Sequence, residues 1–358
     1  RGHGVVEPAV LERCFGPFAA TLHVPAFIEG GRTTVNGVHL LHGEPVHTTP
    51  FAKDRLFGFS TSDLSQWLEQ KSAGAICAAD VVKVSLEDLD QASAGGMIYL
   101  IQRLAALQGN AAVVVDAEHQ SQLAALAAAV LALKGERRFL FRSAASVVKA
   151  LADPGPQPLD PNGLARLRRR GPNGEGLPGL VMVGSHVPLA DQQLMRLLED
   201  PRCIGLELPV RRIARVLDGG SPDLLLPDLE REWCEQLQAL LQSGRTPVLF
   251  TSRGEIRLAS ASAGRLMSQT IARLMGRLAR ALAPGLGYLI SKGGITTQTL
   301  LADGLDLEAV ELEGQLMPGL SVVRPSVGVA QALPIVTFPG NLGADSSLFE
   351  AWQRMQAG

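Results

Sequence analysis

The sequence has few of the features that mark secreted or membrane-spanning proteins. Four cysteines occur in 358 residues, and because no two of them form a CxxC pair, neither a disulfide framework nor a zinc site is predicted. The most apolar segment, LAALAAAVLAL at 123–133, is shorter than the roughly 20 residues that cross a bilayer and is predicted to be a buried helix. No secretory signal is visible. These absences favour a protein of the reducing cytoplasm with no membrane partner.

Neither sign of charge is in excess. The chain has 33 Lys and Arg residues and 35 Asp and Glu residues, which gives a formal net charge of −2. A general attraction to nucleic acid or to an acidic membrane is therefore not predicted, and any anionic ligand must be held by a local site. The hydrophobic fraction of 46% is enough to build two domains, each with its own core.

Apolar runs alternate with helical patterns along the first 150 residues. ATLHVPAF, AAVVVDA and RFLFRSA are predicted strands, and LSQWLEQ and QSQLAALAAAVLAL are predicted helices. Such alternation is typical of α/β units around a mostly parallel sheet. We therefore predict an α/β fold of two domains, each a mostly parallel sheet flanked by helices, with a cleft between them.

A segment rich in Pro and Gly divides the chain. Residues 153–179, DPGPQPLDPNGLARLRRRGPNGEGLPG, are not expected to form one regular element, so we predict a linker between a first domain at 1–152 and a second at 180–358. The linker contains a cluster of arginines, which we interpret as a solvated charge run rather than a phosphate site. Its members are Arg166, Arg168, Arg169 and Arg170.

Four apolar runs in the second half end in small, polar, glycine-bearing turns, and ligands of open α/β sheets bind at such strand ends. In SKGGITTQTL, the glycines would let an anion approach main-chain N–H groups, and Thr296 or Thr297 could cap the following helix. A single turn of this kind can equally be only a helix cap. The sequence has no GxxxxGK(S/T) loop and no GxGxxG turn after a strand, so a nucleotide would be held by a less common arrangement.

Taken in order, these motifs resemble the four-carbon acid sugar kinase family. SKGGITTQTLL, GQLMPGLSVVR and LPIVTFPGNLG resemble its nucleotide-binding C-terminal domain. PAFIEGGRTTVNGVHLLHGEPVHTTPFAKDRLFGFSTSDLSQWL, VVVDA and FRSAAS resemble its substrate domain. The resemblance covers nearly the whole chain, and the ordered series is more specific than any single motif. The initial RGHG resembles the end of a family segment, so we expect the family's acidic opening motif to be lacking from this sequence.

The resemblance implies an ATP-dependent kinase that uses Mg²⁺ and phosphorylates a four-carbon sugar acid of the threonate, erythronate or oxo-tetronate type. It implies nucleotide contacts by Ser185, Gly293, Gly294, Ile295, Thr296 and Gly340. It implies sugar-acid contacts by Arg1, Arg32, Asp116, Arg142 and Ser143. An arginine fork suits a carboxylate, and Asp and Ser suit hydroxyl groups. The resemblance leaves the catalytic base unassigned.

The sequence departs from the family pattern at two places. His186 and Val187 follow Ser185 where many relatives have a small residue and Ser, and Arg142 precedes Ser143 where many have Gly. Both changes indicate a divergent substrate or a subgroup. The alternative, from another class, is a non-catalytic protein that binds a nucleotide or a sugar acid. Whether the protein forms homo-oligomers is left open.

Several of these residues also have simpler interpretations. Asp116 and Ser185 could each cap the helix that follows, and Arg32 could be only a charge in a turn. The histidines of NGVHLLHGEPVH, at positions 39, 42 and 47, have a spacing that fits no zinc pattern. We therefore predict a surface hairpin there rather than a metal site.

Overall fold

A computed structural model describes residues 3–50, 52, 58–185, 187–217, 222–252 and 261–358, apart from the side chains of 216–217, 222–225 and 261–266. The chain divides into two compact units, Arg1–Gly155 and Pro156–Gly358. In the described ranges, no helix is both long and apolar enough to cross a membrane.

The first unit is built on a four-stranded parallel sheet in the order β5-β6-β1-β7, with a small antiparallel sheet in the order β2-β3-β4. Its strands are β1 (Ala20–Val24), β2 (Arg32–Val35), β3 (Val38–Leu41), β4 (Glu44–Pro45), β5 (Val82–Val84), β6 (Ala111–Val115) and β7 (Phe139–Ser143). Its helices are α1 (Val6–Phe15), α2 (Leu64–Lys71), α3 (Leu86–Gln91), α4 (Met97–Ala105), α5 (Gln120–Ala132) and α6 (Ala145–Ala152).

Local sequence explains several of these elements. All five residues of β1 are buried, as expected for a central parallel strand covered on both faces. Helix α3 begins with a capping box in which Ser85 and Asp88 satisfy each other's backbone N–H groups. The Ala-rich helix α5 buries Leu123 and Leu126, which confirms the buried helix predicted from the apolar run at 123–133.

The second unit is built on a seven-stranded sheet in the order β12-β13-β14-β11-β8-β10-β9. Its strands are β8 (Gly179–Val183), β9 (Cys203–Leu208), β10 (Thr246–Thr251), β11 (Tyr288–Lys292), β12 (Glu311–Met317), β13 (Leu320–Arg324) and β14 (Ile335–Phe338). Its helices are α7 (Pro161–Ala165), α8 (Pro188–Leu198), α9 (Val210–Leu217), α10 (Pro222–Gln242), α11 (Ala261–Leu282), α12 (Gly294–Thr299) and α13 (Ser347–Ala357). Strands β9, β10, β8, β11 and β14 are parallel, and β12 and β13 form an antiparallel edge.

Hydrophobic side chains cover both faces of this sheet. Leu289 belongs to a core cluster with residues of α10 and α11, whereas Ile290 belongs to a cluster that includes Trp352 of α13. Successive strand residues point to opposite faces, so an uninterrupted apolar strand such as GLVMV is what a sheet buried on both sides requires. The predicted α/β class with parallel sheets flanked by helices is confirmed.

Residues 156–179 differ from the free linker predicted from their composition, because they pack into the second unit. Asp160 caps α7, which has Pro161 at its first position. Arg168 is 8% exposed and donates hydrogen bonds to the carbonyls of Leu177 and Gln356. Its guanidinium fills a structural role because several backbone carbonyls converge on it, so this arginine is not solvated.

Candidate functional site

Three glycine-bearing turns meet at one edge of the sheet in the second unit. Strands β8, β11 and β14 are parallel neighbours, and Lys292 lies in register with both Val183 and Phe338. The turns that follow these residues are therefore adjacent. The strand order also changes direction between β8 and β11, since β9 and β10 lie on one side of β8 and β11 and β14 lie on the other. Open α/β sheets bind ligands at such a switch point.

The turns contact one another so closely that they require glycine. A Cβ placed on Gly184 would lie 2.0 Å from Thr296 Oγ1, and one placed on Gly340 would lie 2.6 Å from Ser185 Oγ. Gly293 has a φ of +121°, and a Cβ there would lie 3.3 Å from the backbone nitrogen of Ser185. The structure thus brings together four residues that the sequence assigned to the nucleotide: Ser185, Gly293, Thr296 and Gly340.

The first residues of α12 point away from this contact. A Cβ on Gly294 would meet no atom within 4 Å, and Ile295 is 69% exposed. Gly294 and Ile295, the other two residues expected to contact the nucleotide, therefore border open space. The expected threonine cap is absent, because the N-cap residue of α12 is Gly293 and no side chain caps the helix. Thr297 instead shares a hydrogen bond of 2.8 Å with the Ser291 hydroxyl.

Lys292, which the sequence analysis did not single out, lies between two of the turns. Its side chain is 0% exposed, and its Nζ donates a hydrogen bond of 3.2 Å to the carbonyl oxygen of Pro339. The same atom lies 3.8 Å from the centroid of the Phe338 ring. Burial lowers the pKa of this amine from 10.5 to about 7, since desolvation penalises the ammonium form. The available sequence signal was a lysine directly before the paired glycines.

Side chains of α8 and α13 hold the turn that follows β14 in place. Gln193 Nε2 donates hydrogen bonds to the carbonyls of Leu342, at 3.0 Å, and Ala344, at 2.5 Å. The Ala344 N–H in turn donates to Ser347 Oγ at 2.8 Å. Because Gln193 of α8 binds two carbonyl groups of this turn and Ser347 of α13 binds one of its N–H groups, its position at the sheet edge is well fixed.

A cavity of about 610 Å³ adjoins the turns, within the 300–1,000 Å³ typical of small-molecule pockets. Its walls come from α12, from the segment after it, and from the end of β14. Most of the lining is apolar, with a few polar groups at the rim. Lining residues include Gly294, Leu301, Val310, Glu308, Phe338 and Gly340.

In the first unit, Asp116 lies at the carboxyl end of β6, where it is 4% exposed. Its Oδ1 accepts a hydrogen bond of 2.8 Å from the Gly37 N–H in the β2–β3 turn. Burial raises the pKa of this carboxyl group, and hydrogen bonds from the Gly37 and Asn36 backbone oppose that shift. Asp116 therefore binds the hairpin turn and does not cap α5, the alternative considered from sequence.

Arg142 and Ser143 lie at the end of β7, on the other side of β1 from Asp116. Arg142 forms an ion pair of 3.2 Å with Glu7 of α1, and both side chains are at least 36% exposed. Exposed ion pairs contribute only about 0–1 kcal/mol, so a ligand carboxylate could replace Glu7 at little cost. Arg1 and His186 lie outside the described residues.

Arg32 begins β2, and its guanidinium lies 5.2 Å from the centroid of the Phe27 ring. Burial lowers the pKa of Arg32. The predicted hairpin is present, but His39 is buried within it, 7% exposed, with Nδ1 3.1 Å from Thr34 Oγ1. The part of the chain that the structure describes contains no cluster of three metal-ligating His, Cys, Asp or Glu side chains.

The architecture is that of a two-domain α/β protein whose second unit has glycine turns at its switch point. Two family models match the chain, a sugar-binding N-terminal domain over residues 1–151 and a nucleotide-binding C-terminal domain over residues 180–348. The chain belongs to the four-carbon acid sugar kinase family.

Two curated relatives are similar over most of the chain. A D-threonate kinase of Cupriavidus necator is 27% identical over 369 residues, which span 99% of this chain and 77% of the relative. A D-threonate kinase of Salmonella typhimurium is 26% identical over 334 residues, which span 90% of this chain and 70% of the relative.

Solved structures support the fold. A Haemophilus influenzae protein superposes with a TM-score of 0.57 at 18% identity, covering 98% of this chain and 77% of that one. A Salmonella typhimurium protein superposes with a TM-score of 0.62 at 16% identity, covering 98% of this chain and 76% of that one.

Proposed function

We propose that this protein is an ATP-dependent kinase that phosphorylates a hydroxyl group of a four-carbon sugar acid. D-threonate is the first candidate substrate, because both curated relatives are D-threonate kinases. The observation that carries the proposal is the contact of the Gly184, Gly293 and Gly340 turns around Ser185 and Thr296, inside the domain that matches a nucleotide-binding model.

The phosphates of ATP would bind to main-chain N–H groups of these turns and to the Ser185 hydroxyl. Glycine allows such close approach, because no Cβ stands between the anion and the amides. The base and ribose would occupy the neighbouring cavity of about 610 Å³, where apolar walls suit a planar base and Glu308 suits ribose hydroxyl groups. The exposed side chain of Ile295 would cover one side of the nucleotide.

Mg²⁺ would enter this site with the nucleotide. The described side chains include no group of three that could hold a metal ion alone, and Mg²⁺ in kinases is commonly held by substrate phosphates with few protein ligands. When bound, it supplies charge neutralisation at the phosphate oxygens. What the chain itself contributes is the position of the phosphates, through the amides and the Ser185 hydroxyl.

The first unit would bind the sugar acid at the carboxyl edge of its sheet. Arg32 and Arg142 are the groups suited to the carboxylate, and Asp116 and Ser143 are suited to hydroxyl groups. Asp116 already accepts hydrogen bonds from the Gly37 and Asn36 backbone, and the remaining acceptor capacity of its carboxylate is proposed to face the ligand. No residue is assigned as catalytic base. We also propose a cytoplasmic location, in keeping with the four free cysteines.

The proposal is tested by incubating the protein with ATP and Mg²⁺ against D-threonate, L-threonate, D-erythronate and their oxo forms, and following ADP release. We expect ADP release that depends on one of these acids, with a phosphorylated acid as product. Nucleotide binding without ADP release across the panel would favour the non-catalytic binding protein instead. Failure to bind nucleotide would contradict the kinase and leave only a protein that binds a sugar acid.

A further inference from the structure

A buried amine that has no ion-pair partner among the described residues lies between the turns that follow β11 and β14. Lys292 is the only lysine among residues 150–358, where all other strongly basic side chains are arginines. Its side chain is 0% exposed, and its Nζ contacts the Pro339 carbonyl and the Phe338 ring. Within the described part of the chain, no carboxylate forms an ion pair with it. A buried ammonium without an anion is unfavourable.

The position of Lys292 links the two turns that we assign to phosphate. Its backbone leads directly into Gly293, while its Nζ holds the carbonyl of Pro339, the residue before Gly340. The amine therefore lies beside the place where the amides of both turns would receive an anion. Lysine suits such a position and arginine does not, because lysine can lose its charge when it is buried.

Neighbouring charged side chains do not account for the lowered pKa of Lys292. Two helices that pack on the same face of the sheet carry Asp191 and Arg196 on α8 and Glu350 and Arg354 on α13. Burial is nevertheless the only cause found for the lowered pKa of Lys292. Arg196 contacts Glu199, and Glu350 accepts a hydrogen bond from Ser346. Among the residues that the structure describes, no charged side chain therefore forms an ion pair with the ammonium.

We propose that Lys292 is a positioning residue and the buried counter-charge of the nucleotide phosphates, and that it takes up a proton when the nucleotide binds. The inference rests on the proposed nucleotide site. Without ligand, the amine orients the Pro339–Gly340 turn through the Pro339 carbonyl. With phosphate bound, the ammonium form gains an anionic neighbour and becomes the favoured form. Proton transfer is from solvent to Nζ, so no further reactant is required.

The direction in which nucleotide affinity changes with pH follows from the protonation of Lys292 in the free and the nucleotide-bound protein. The free amine has a pKa of about 7, and a bound anion raises it. At about pH 6, both states are protonated and no proton is taken up. Near pH 8, the free amine is mostly neutral and the bound amine is charged, so roughly one proton is taken up per nucleotide. Affinity for the nucleotide should therefore fall roughly tenfold between about pH 7 and 9.

The test is isothermal titration calorimetry of the full chain with the Mg²⁺ complex of a non-hydrolysable ATP analogue, between about pH 6 and 9, in two buffers of different ionisation enthalpy. For the wild type we expect proton uptake near pH 8. For Lys292→Met we expect affinity about tenfold weaker near pH 7, no proton uptake, and no fall in affinity as the pH rises. Lys149→Met, an exposed lysine of the first unit, is the matched control and should behave as the wild type.

Wild-type binding without proton uptake would overturn the inference and leave the nucleotide site standing, as would Lys292→Met with wild-type affinity and pH dependence. Absence of nucleotide binding by the wild type would overturn both. Because the wild-type measurement needs no variant, the inference stays testable even if Lys292→Met does not fold.

Discussion

Ser185 Oγ lies 2.6 Å from the position that a Cβ of residue 340 would occupy. The two residues belong to turns that are more than 150 positions apart in the chain, and they meet because β8 and β14 both flank β11. The contact makes glycine at position 340 a geometric requirement, and it places the Ser185 hydroxyl against backbone that we assign to phosphate.

Gly340→Ala is expected to destabilise the second unit by about 1–3 kcal/mol, the usual cost of overpacking, and to weaken nucleotide binding. Adding Ser185→Gly removes the opposing atoms, so the double variant should regain stability. It should not regain affinity, because the hydroxyl that we assign to the phosphates is lost. Thermal unfolding and nucleotide titration of the two single variants and the double variant provide the check. A double variant that binds like the wild type would remove Ser185 from the site.

Gly294→Val tests the open side of the turn. A Cβ at this position meets no protein atom within 4 Å, so the variant should fold normally but occupy the space proposed for the nucleotide. We expect at least a tenfold loss of affinity, equivalent to about 1.4 kcal/mol. Gly285→Val is the matched control, since Gly285 also has no neighbour within 4 Å and does not line the cavity. Equal affinities for the two variants would count against the assignment of Gly294.

Asp116→Asn separates a structural role from a ligand role. An amide oxygen can still accept the hydrogen bond from Gly37, so the hairpin should remain in place. Because burial raises the folded-state pKa of Asp116, its charge opposes folding at neutral pH, and the variant should unfold at a higher temperature there. This gain should shrink as the pH falls toward the ordinary carboxyl range.

The same variant should lose at least tenfold in kcat/KM for the sugar acid, about 1.4 kcal/mol of transition-state stabilisation, while its affinity for the nucleotide stays unchanged. Steady-state kinetics with each substrate varied in turn would show this. Wild-type turnover by Asp116→Asn would restrict Asp116 to holding the hairpin.

Two buried histidines should make the first unit sensitive to acid. Burial lowers the pKa of His23 and His39 to about 4, assisted by the nearby charges of Arg142 and Arg32 respectively. The unfolded chain binds these protons near pH 6.5, so stability is full above that pH and is lost as the pH falls toward 4. Each histidine can remove up to about 3 kcal/mol over this range.

Calorimetric unfolding between about pH 4 and 8 measures this loss. His39→Gln should reduce the pH dependence. A stability profile that is flat between pH 6.5 and 4 would show that these imidazoles are not buried in neutral form.

Much of the fold was predictable because strands such as GLVMV and AAVVVDA are uninterrupted apolar runs, which sheets covered on both faces require. The site was predictable to the extent that glycines after strands mark close backbone approach. The residue numbers of the turns, however, give no information on which turns touch. That information comes from strand order, which depends on long-range pairing.

The structure differs from the sequence-based prediction in two places. Residues 153–179 are rich in Pro and Gly, but 156–179 pack into the second unit, where backbone carbonyls converge on Arg168. Lys292 was overlooked because a charged residue beside a turn is usually solvated. Its burial follows from the register that places Val183 and Phe338 on either side of it.

The most direct test of this account is a crystal structure of the protein with Mg²⁺ and a non-hydrolysable ATP analogue. We predict phosphate density against the backbone amides at residues 294 and 340 and the Ser185 hydroxyl, with the base in the adjoining cavity. Density for the analogue elsewhere, with these three turns free of ligand, would contradict the assignment of the second unit as the site of ATP binding.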